Sequence, residues 1–315
     1  MNKRLKGSLI LLLTAVIWGF GFAAQSAGGA IIGAVPFNTL RLLTAAVGLL
    51  PVAAVSVKRR YGGLPPRPVL KRTLIGGTFT GVILAAATCV QQFGVDLTGS
   101  AGKSGFITSL YIIILPFIGL AVGKRPAWTV WPCAAVAAVG LWLICGGGDF
   151  GSFGLGEALL VICAVLYAVQ ITGVDMTLTP EIDGILLSFV QFAVSAAVCC
   201  IPLAFTGLPS AQDLRDALPS LLYSGLMSGA AGFTLQILGQ RDCPPTAAGL
   251  IMSLESVFSA FGGWILLGQK LSGIELCGCA ILFAAVSAAQ IPVKTNNKTN
   301  RNNTSKGERY NDPDV

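Results

Sequence analysis

The chain has 315 residues, of which 54% are hydrophobic and 11% charged, with a mean hydropathy of +0.75, a formal net charge of +7 and no histidine. Soluble domains carry about 25% charged residues, so this composition excludes them and implies an integral membrane protein. The lack of histidine also excludes imidazole catalysis and most zinc sites.

Apolar segments long enough to cross a bilayer recur near residues 8–26, 36–57, 73–94, 102–122, 127–145, 155–175, 184–205, 217–239, 245–267 and 272–292. They admit Gly, Pro and β-branched residues and lack the period-2 alternation of a lipid-facing barrel. The expected fold is therefore all-α, with about ten transmembrane helices. The first segment follows the basic stretch "MNKRLK" and resembles a secretory signal. Its apolar stretch is long for a signal core, and removing it would leave an odd helix count, so it is read as a true membrane helix.

The connections carry the topology. With a cytoplasmic N-terminus, the cytoplasmic segments hold Lys3, Arg4 and Lys6, the run from Lys58 to Arg72, Lys124, Arg125, Arg241 and the basic residues of the tail. The external segments hold only Lys103, Arg215 and Lys270. This asymmetry predicts that both termini face the cytoplasm. The positive net charge restates that bias and implies no nucleic-acid partner. Basic segments such as "KRRYGGLPPRPVLKR" are suited to lie against anionic membrane lipid.

Between the third and fourth segments stands "LTGSAGKSGF", which ends like a phosphate-binding loop. That loop needs a glycine where Leu97 stands, with a strand before it. Here an apolar helix precedes it, and a helix-to-helix turn is the better reading. The cysteines have no ligand-like spacing, and most, including Cys89, Cys163, Cys199, Cys200, Cys277 and Cys279, fall within spans as small apolar side chains. No metal or cofactor is expected.

The chain repeats itself. "SGFITSLYIIILPFIGLAVGKRPAW" (104–128) aligns with "AGLIMSLESVFSAFGGWILLGQKLS" (248–272), matching Gly105 to Gly249 and Ser109-Leu110 to Ser253-Leu254. Five spans precede the midpoint and five follow it. An odd number per repeat makes the second copy enter from the opposite side, the inverted-repeat plan of secondary transporters. The expected division is a first repeat at 1–145, an external Gly-rich linker at 146–154, a second repeat at 155–292 and an Asn-rich disordered cytoplasmic tail at 293–315.

Four stretches in this order resemble the ten-helix EamA-type branch of the drug/metabolite transporter superfamily. They are "AVIWGFGFAAQ" with Trp18, "FNTLRLLTAA" with Arg41, "GEALLVICAVLYAVQ", and "SLESVFSAFGGWILLGQKLSG" with Glu255. The sequence departs from that pattern at Ser256, where a proline commonly follows the acid, and at Gln269, where an acid commonly ends the helix. The resemblance implies a secondary transporter of the cell membrane and not an enzyme. It implies movement of a small metabolite, amino acid or drug-like compound, outward, by alternating access. An importer or facilitator of the same fold, or a non-transporting scaffold or sensor, stands as the alternative.

A charged side chain at membrane depth is costly unless paired or wetted, so it points to function. Glu255 lies about ten residues into its span, roughly 15 Å deep, near the midplane. It is expected either to line a central cavity, contact substrate and exchange a coupled proton, or to hold a neighbouring helix by a hydrogen bond. Arg41 is expected either to snorkel to headgroups or to partner Glu255 and gate an anionic substrate group. Further candidates for contact with a small-molecule substrate are Trp18, Gln91, Tyr111, Tyr167, Gln170, Gln191 and Gln236, with Gln25 and Gln92 beside them. For each, the alternative is interhelical hydrogen bonding.

Overall fold

The structure is a computed structural model that describes residues 3–124, 126, 128–144, 154–270 and 272–289. The expected linker, Gly154 apart, and the expected tail lie outside the described residues.

Helices in chain order are α1 (Lys3–Ile32), α2 (Ala34–Tyr61), α3 (Arg67–Thr98), α4 (Ala101–Thr108), α5 (Tyr111–Ala121), α6 (Val130–Ile144), α7 (Leu155–Thr177) and α8 (Gly184–Thr206). There follow α9 (Ala211–Leu222), a π-helical segment (Tyr223–Phe233), α10 (Thr234–Gln240), α11 (Pro245–Met252), α12 (Glu255–Leu267) and α13 (Gly273–Ala289). Three pairs of neighbours run on as single crossings: α4 with α5, α9 through the π segment to α10, and α11 with α12. Among the described residues eight crossings are long and apolar enough to span a membrane, and α6 and α13 are shorter apolar helices. The described residues are thus consistent with about ten transmembrane helices. Several helices outrun the apolar segments that announced them; α2 continues through Lys58–Arg60 to Tyr61 and α3 begins at Arg67. Long basic side chains at such ends reach into headgroup territory while the backbone stays helical.

The contacts between helices repeat when the halves are exchanged. Helix α3 packs on α7 as the α9–α10 crossing packs on α1, and α4–α5 packs on α7 as α11–α12 packs on α1. Two pairs map onto themselves, α2 with α8 and α6 with α13. The architecture is that of two inverted five-helix repeats. Large apolar side chains such as Val47, Ile201 and Phe283 are exposed on the outside, where lipid meets them.

The "LTGSAGKSGF" stretch is a turn. Gly99 takes a left-handed conformation (φ 60°) and its N–H caps Val95, while the Ser100 hydroxyl accepts from the Lys103 N–H at 3.3 Å to start α4. Lys103 pairs with Glu157 at the start of α7. A helix cap occupies the place where a phosphate cradle would have to form.

Candidate functional site

Two crossings are broken at matching places. In the first half, α4 and α5 are separated by Ser109-Leu110, and in the second half α11 and α12 by Ser253-Leu254. At both breaks the backbone tightens into i→i+3 bonds: Leu110 N–H to Ile107 O and Ile112 N–H to Ser109 O, against Leu254 N–H to Ile251 O and Ser256 N–H to Ser253 O. Serine favours such interruptions because its hydroxyl bonds the local backbone, as Ser109 does to Gly105 O (2.8 Å) and Ser253 to Leu250 O (2.8 Å). A short tightened turn inside a helix often marks a hinge or a sequence under strain, and discontinuous helices are typical of transporter sites.

The broken crossings meet through glycine. A Cβ on Gly105 would sit 2.1 Å from Ser259 Oγ, and one on Gly249 would sit 2.2 Å from Leu115 Cδ1. Glu255, the first residue of α12, thereby comes against the break in the first half. Its Oε1 accepts from Ser109 Oγ at 3.3 Å, and only 3% of the residue is exposed. The buried Tyr111 hydroxyl has no hydrogen-bond partner among the described residues, and Tyr111 lines the same cavity as Glu255.

Between the halves lies a narrow cavity of about 30 Å³. A cavity needs roughly 10–15 Å³ to hold one water, so this space admits about two. Among the expected residues, Glu255, Arg41, Trp18, Gln91, Tyr111, Tyr167 and Gln170 line it, together with Gln25. Phe22, Thr108, Ile171, Ser228 and Phe233 line it as well. They carried no sequence signal, because an aromatic or small residue inside an apolar span looks the same whether it faces lipid or cavity.

Arg41 is 6% exposed, so it turns inward and does not snorkel. Its Nε donates to Asn38 Oδ1 (3.1 Å) and its Nη2 to Thr88 O (3.5 Å). Among the described residues neither Arg41 nor Glu255 forms an ion pair. The expected direct partnership of the two is therefore replaced by two ionisable side chains that line one cavity without an ion pair between them.

The walls are aromatic. The Phe233 ring lies 4.6 Å from Trp18 and 6.3 Å from Tyr167, centroid to centroid, with Phe192 edge-on behind it at 5.4 Å. The π-helical segment is tied to this wall, where Ser228 O accepts from Trp18 Nε1 at 3.0 Å. Tyr167 donates to Gln91 Oε1 at 3.2 Å.

Gln191 and Gln236 are not in the cavity wall. They stand behind Gln170, which donates to Gln191 Oε1 (3.0 Å) and accepts from Gln236 Nε2 (3.1 Å). Gln92 likewise stands back, donating to Gln25 O (3.1 Å) and Asp96 Oδ1 (2.8 Å). Asp96 itself was missed in the sequence because α3 runs past the apolar segment that ends at residue 94. Among the described residues no cluster of His, Cys, Asp and Glu could hold a metal ion.

Comparison with known proteins agrees with this architecture. The EamA-like transporter family matches residues 154–289. An uncharacterized transporter of Archaeoglobus fulgidus is 25% identical over 299 residues, 92% of this chain and 88% of its own. The threonine/homoserine exporter RhtA of Salmonella typhimurium is 28% identical over 177 residues, 54% of this chain and 57% of the exporter. A solved crystal structure shares the fold at a TM-score of 0.69 and 18% identity, over 91% of this chain and 97% of its own. These relatives are named as transporters and not as enzymes. Residues 154–289 thus carry the match to the EamA-like transporter family, and the chain as a whole is similar to proteins named as transporters.

Proposed function

We propose that this protein exports a small zwitterionic metabolite of the α-amino acid type across the cell membrane by alternating access. The observation that carries the reading is the presence of Arg41 and Glu255 in one aromatic-walled cavity without an ion pair between them. A zwitterion supplies a carboxylate for the guanidinium and an ammonium for the carboxylate, and so neutralises two buried charges that are costly alone. Trp18, Tyr167 and Phe233 then receive its apolar part. The resemblance to an amino-acid exporter supports the substrate class and the direction.

Residues 1–145 and 155–292 serve as the two rocking units, with both termini in the cytoplasm. The cavity of about 30 Å³ is too small for an amino acid, so substrate enters only when the units part. A proton is the proposed coupling ion. The Ser109 hydroxyl has one proton for Gly105 O, Glu255 Oε1 and Ser253 O, and Gly105 O is the nearest. With Glu255 ionised, Ser109 must divide that proton between them; on taking up the coupling proton, Glu255 would itself donate to Ser109 Oγ and leave Ser109 bonded to Gly105 O.

A thermal-shift screen of the purified protein against amino acids, nucleobases, polyamines and toxic cations tests the reading, repeated for Glu255→Gln and Arg41→Gln. An amino acid should raise Tm in the native protein and in neither variant. Stabilisation by polyamines that survives Arg41→Gln would replace the zwitterion by a plain cation.

A further inference from the structure

The face bearing the basic connections holds a second built cleft, distant in role from the central cavity. It has a volume of about 380 Å³ and lies between the end of α2, the start of α8 and the end of α10. Its rim carries Arg59, Arg60 and Arg241, and its wall is formed by Val52, Val55, Ile185 and Leu238. Val52 and Val55 are each about half exposed, at 49% and 50%, and so continue the wall outward to lipid.

Three guanidiniums face one carboxylate there, and that carboxylate is already engaged. Asp183 Oδ1 accepts the N–H groups of Ile185 (2.8 Å) and Leu186 (3.2 Å), and its Oδ2 accepts from Ser56 Oγ at 2.6 Å. Among the described residues none of the three arginines has an ion-pair partner. Arg60 and Arg241 instead donate to the backbone oxygens of Pro180 and Ile182. Partial burial, and then the like charge of Arg60, hold the Arg241 guanidinium below its ordinary value, against the weaker opposing pull of Asp183 and Asp242.

We infer that this cleft is a site for an anionic phospholipid, with the phosphate held by Arg59, Arg60 and Arg241 and an acyl chain lying along Val52, Val55 and Leu238. Guanidinium groups match phosphate oxygens in a bidentate fork, and basic pockets between helices on the cytoplasmic side suit anionic headgroups. The apolar wall below the rim is what distinguishes a lipid from a free anion. Because α2 belongs to the first half and α8 and α10 to the second, a bound lipid bridges the two halves.

The test measures Tm of the purified full chain in mixed micelles of a nonionic detergent and phosphatidylcholine on adding phosphatidylglycerol or, separately, inorganic phosphate. Phosphatidylglycerol should raise Tm by about 3 °C over an equal addition of phosphatidylcholine, and inorganic phosphate should not. Arg59→Gln/Arg241→Gln should lose this selective rise, whereas Arg67→Gln/Lys71→Gln, on the same face outside the cleft, should keep it. If the double variant fails to fold, Arg59→Gln alone, which leaves the loop contacts of Arg60 and Arg241 intact, should reduce the rise by half or more. An equal rise with phosphatidylcholine, an equal rise with inorganic phosphate, or a rise unchanged in the Arg59 variants would each overturn the inference.

Discussion

The hydroxyl of Ser109 lies 3.3 Å from Oε1 of Glu255, at the point where the broken crossings of the two halves meet. The contact joins the break in one repeat to the residue that restarts the helix in the other. In the proposed rocking of the halves this contact spans their interface, and it is where binding and conformational change are expected to be coupled.

Glu255→Gln keeps the shape of the side chain and a hydrogen-bonding partner for Ser109 while removing the charge. It is expected to fold, with Tm within about 3 °C of the native protein, because a neutral amide is cheaper to bury than a carboxylate. Counterflow of a stabilising amino acid in proteoliposomes should fall at least about tenfold, a loss of roughly 1.4 kcal/mol or more. Normal transport by a well-folded Glu255→Gln protein would assign Glu255 to structure alone.

Two glycine substitutions should differ sharply. At Gly19 an added Cβ would lie 2.3 Å from Phe258 Cβ and 2.8 Å from the backbone oxygen of Glu255, neither of which can move without displacing α12. At Gly249 it would meet Leu115 Cδ1, the far end of a side chain with other rotamers. Gly19→Ala should therefore destabilise by about 1–3 kcal/mol and Gly249→Ala by clearly less. Melting of the two variants in the same detergent checks the order; equal losses would contradict the packing described.

Gln170→Leu removes two amide hydrogen bonds and leaves Gln191 and Gln236 facing an apolar side chain. Hydrogen bonds between membrane helices average about 0.6 kcal/mol, so the pair should cost about 1–2 kcal/mol. Because Gln170 also lines the cavity, substrate stabilisation should weaken as well. Gln191→Leu, one layer back, should lower Tm but leave substrate stabilisation nearly intact.

Cys243, between α10 and α11, reports on the basic face of the protein. Burial pushes its thiol up, with the hydrogen bond to Ser8 pulling the other way. A raised thiol holds less thiolate at pH 8 than a free cysteine, so maleimide labelling of a Cys243-only variant should be slow. The rate should climb about tenfold per pH unit up to that raised value. Labelling at the speed of a free cysteine would show that this corner, where Cys243 also approaches Arg4 O, is open.

The class of the protein was legible in the chain because bilayer thickness and the cost of exposed backbone leave few choices for so apolar a sequence. The number of crossings, the repeat that pairs Ser109-Leu110 with Ser253-Leu254, and the rarity of charges such as Glu255 and Arg41 all follow from local chemistry. What the chain could not reveal was direction around each helix. Lipid is as apolar as a protein interior, so a span shows no polar face to mark which side is packed and which is exposed. Packing alone decided that Gln170 faces the cavity while Gln191 and Gln236 stand behind it, that Phe233 joins Trp18 and Tyr167, and that Arg41 turns inward. Only the crossing of the halves at Gly105 and Gly249 brings Glu255 to Ser109, since no spacing along one chain encodes a contact between residues 146 positions apart.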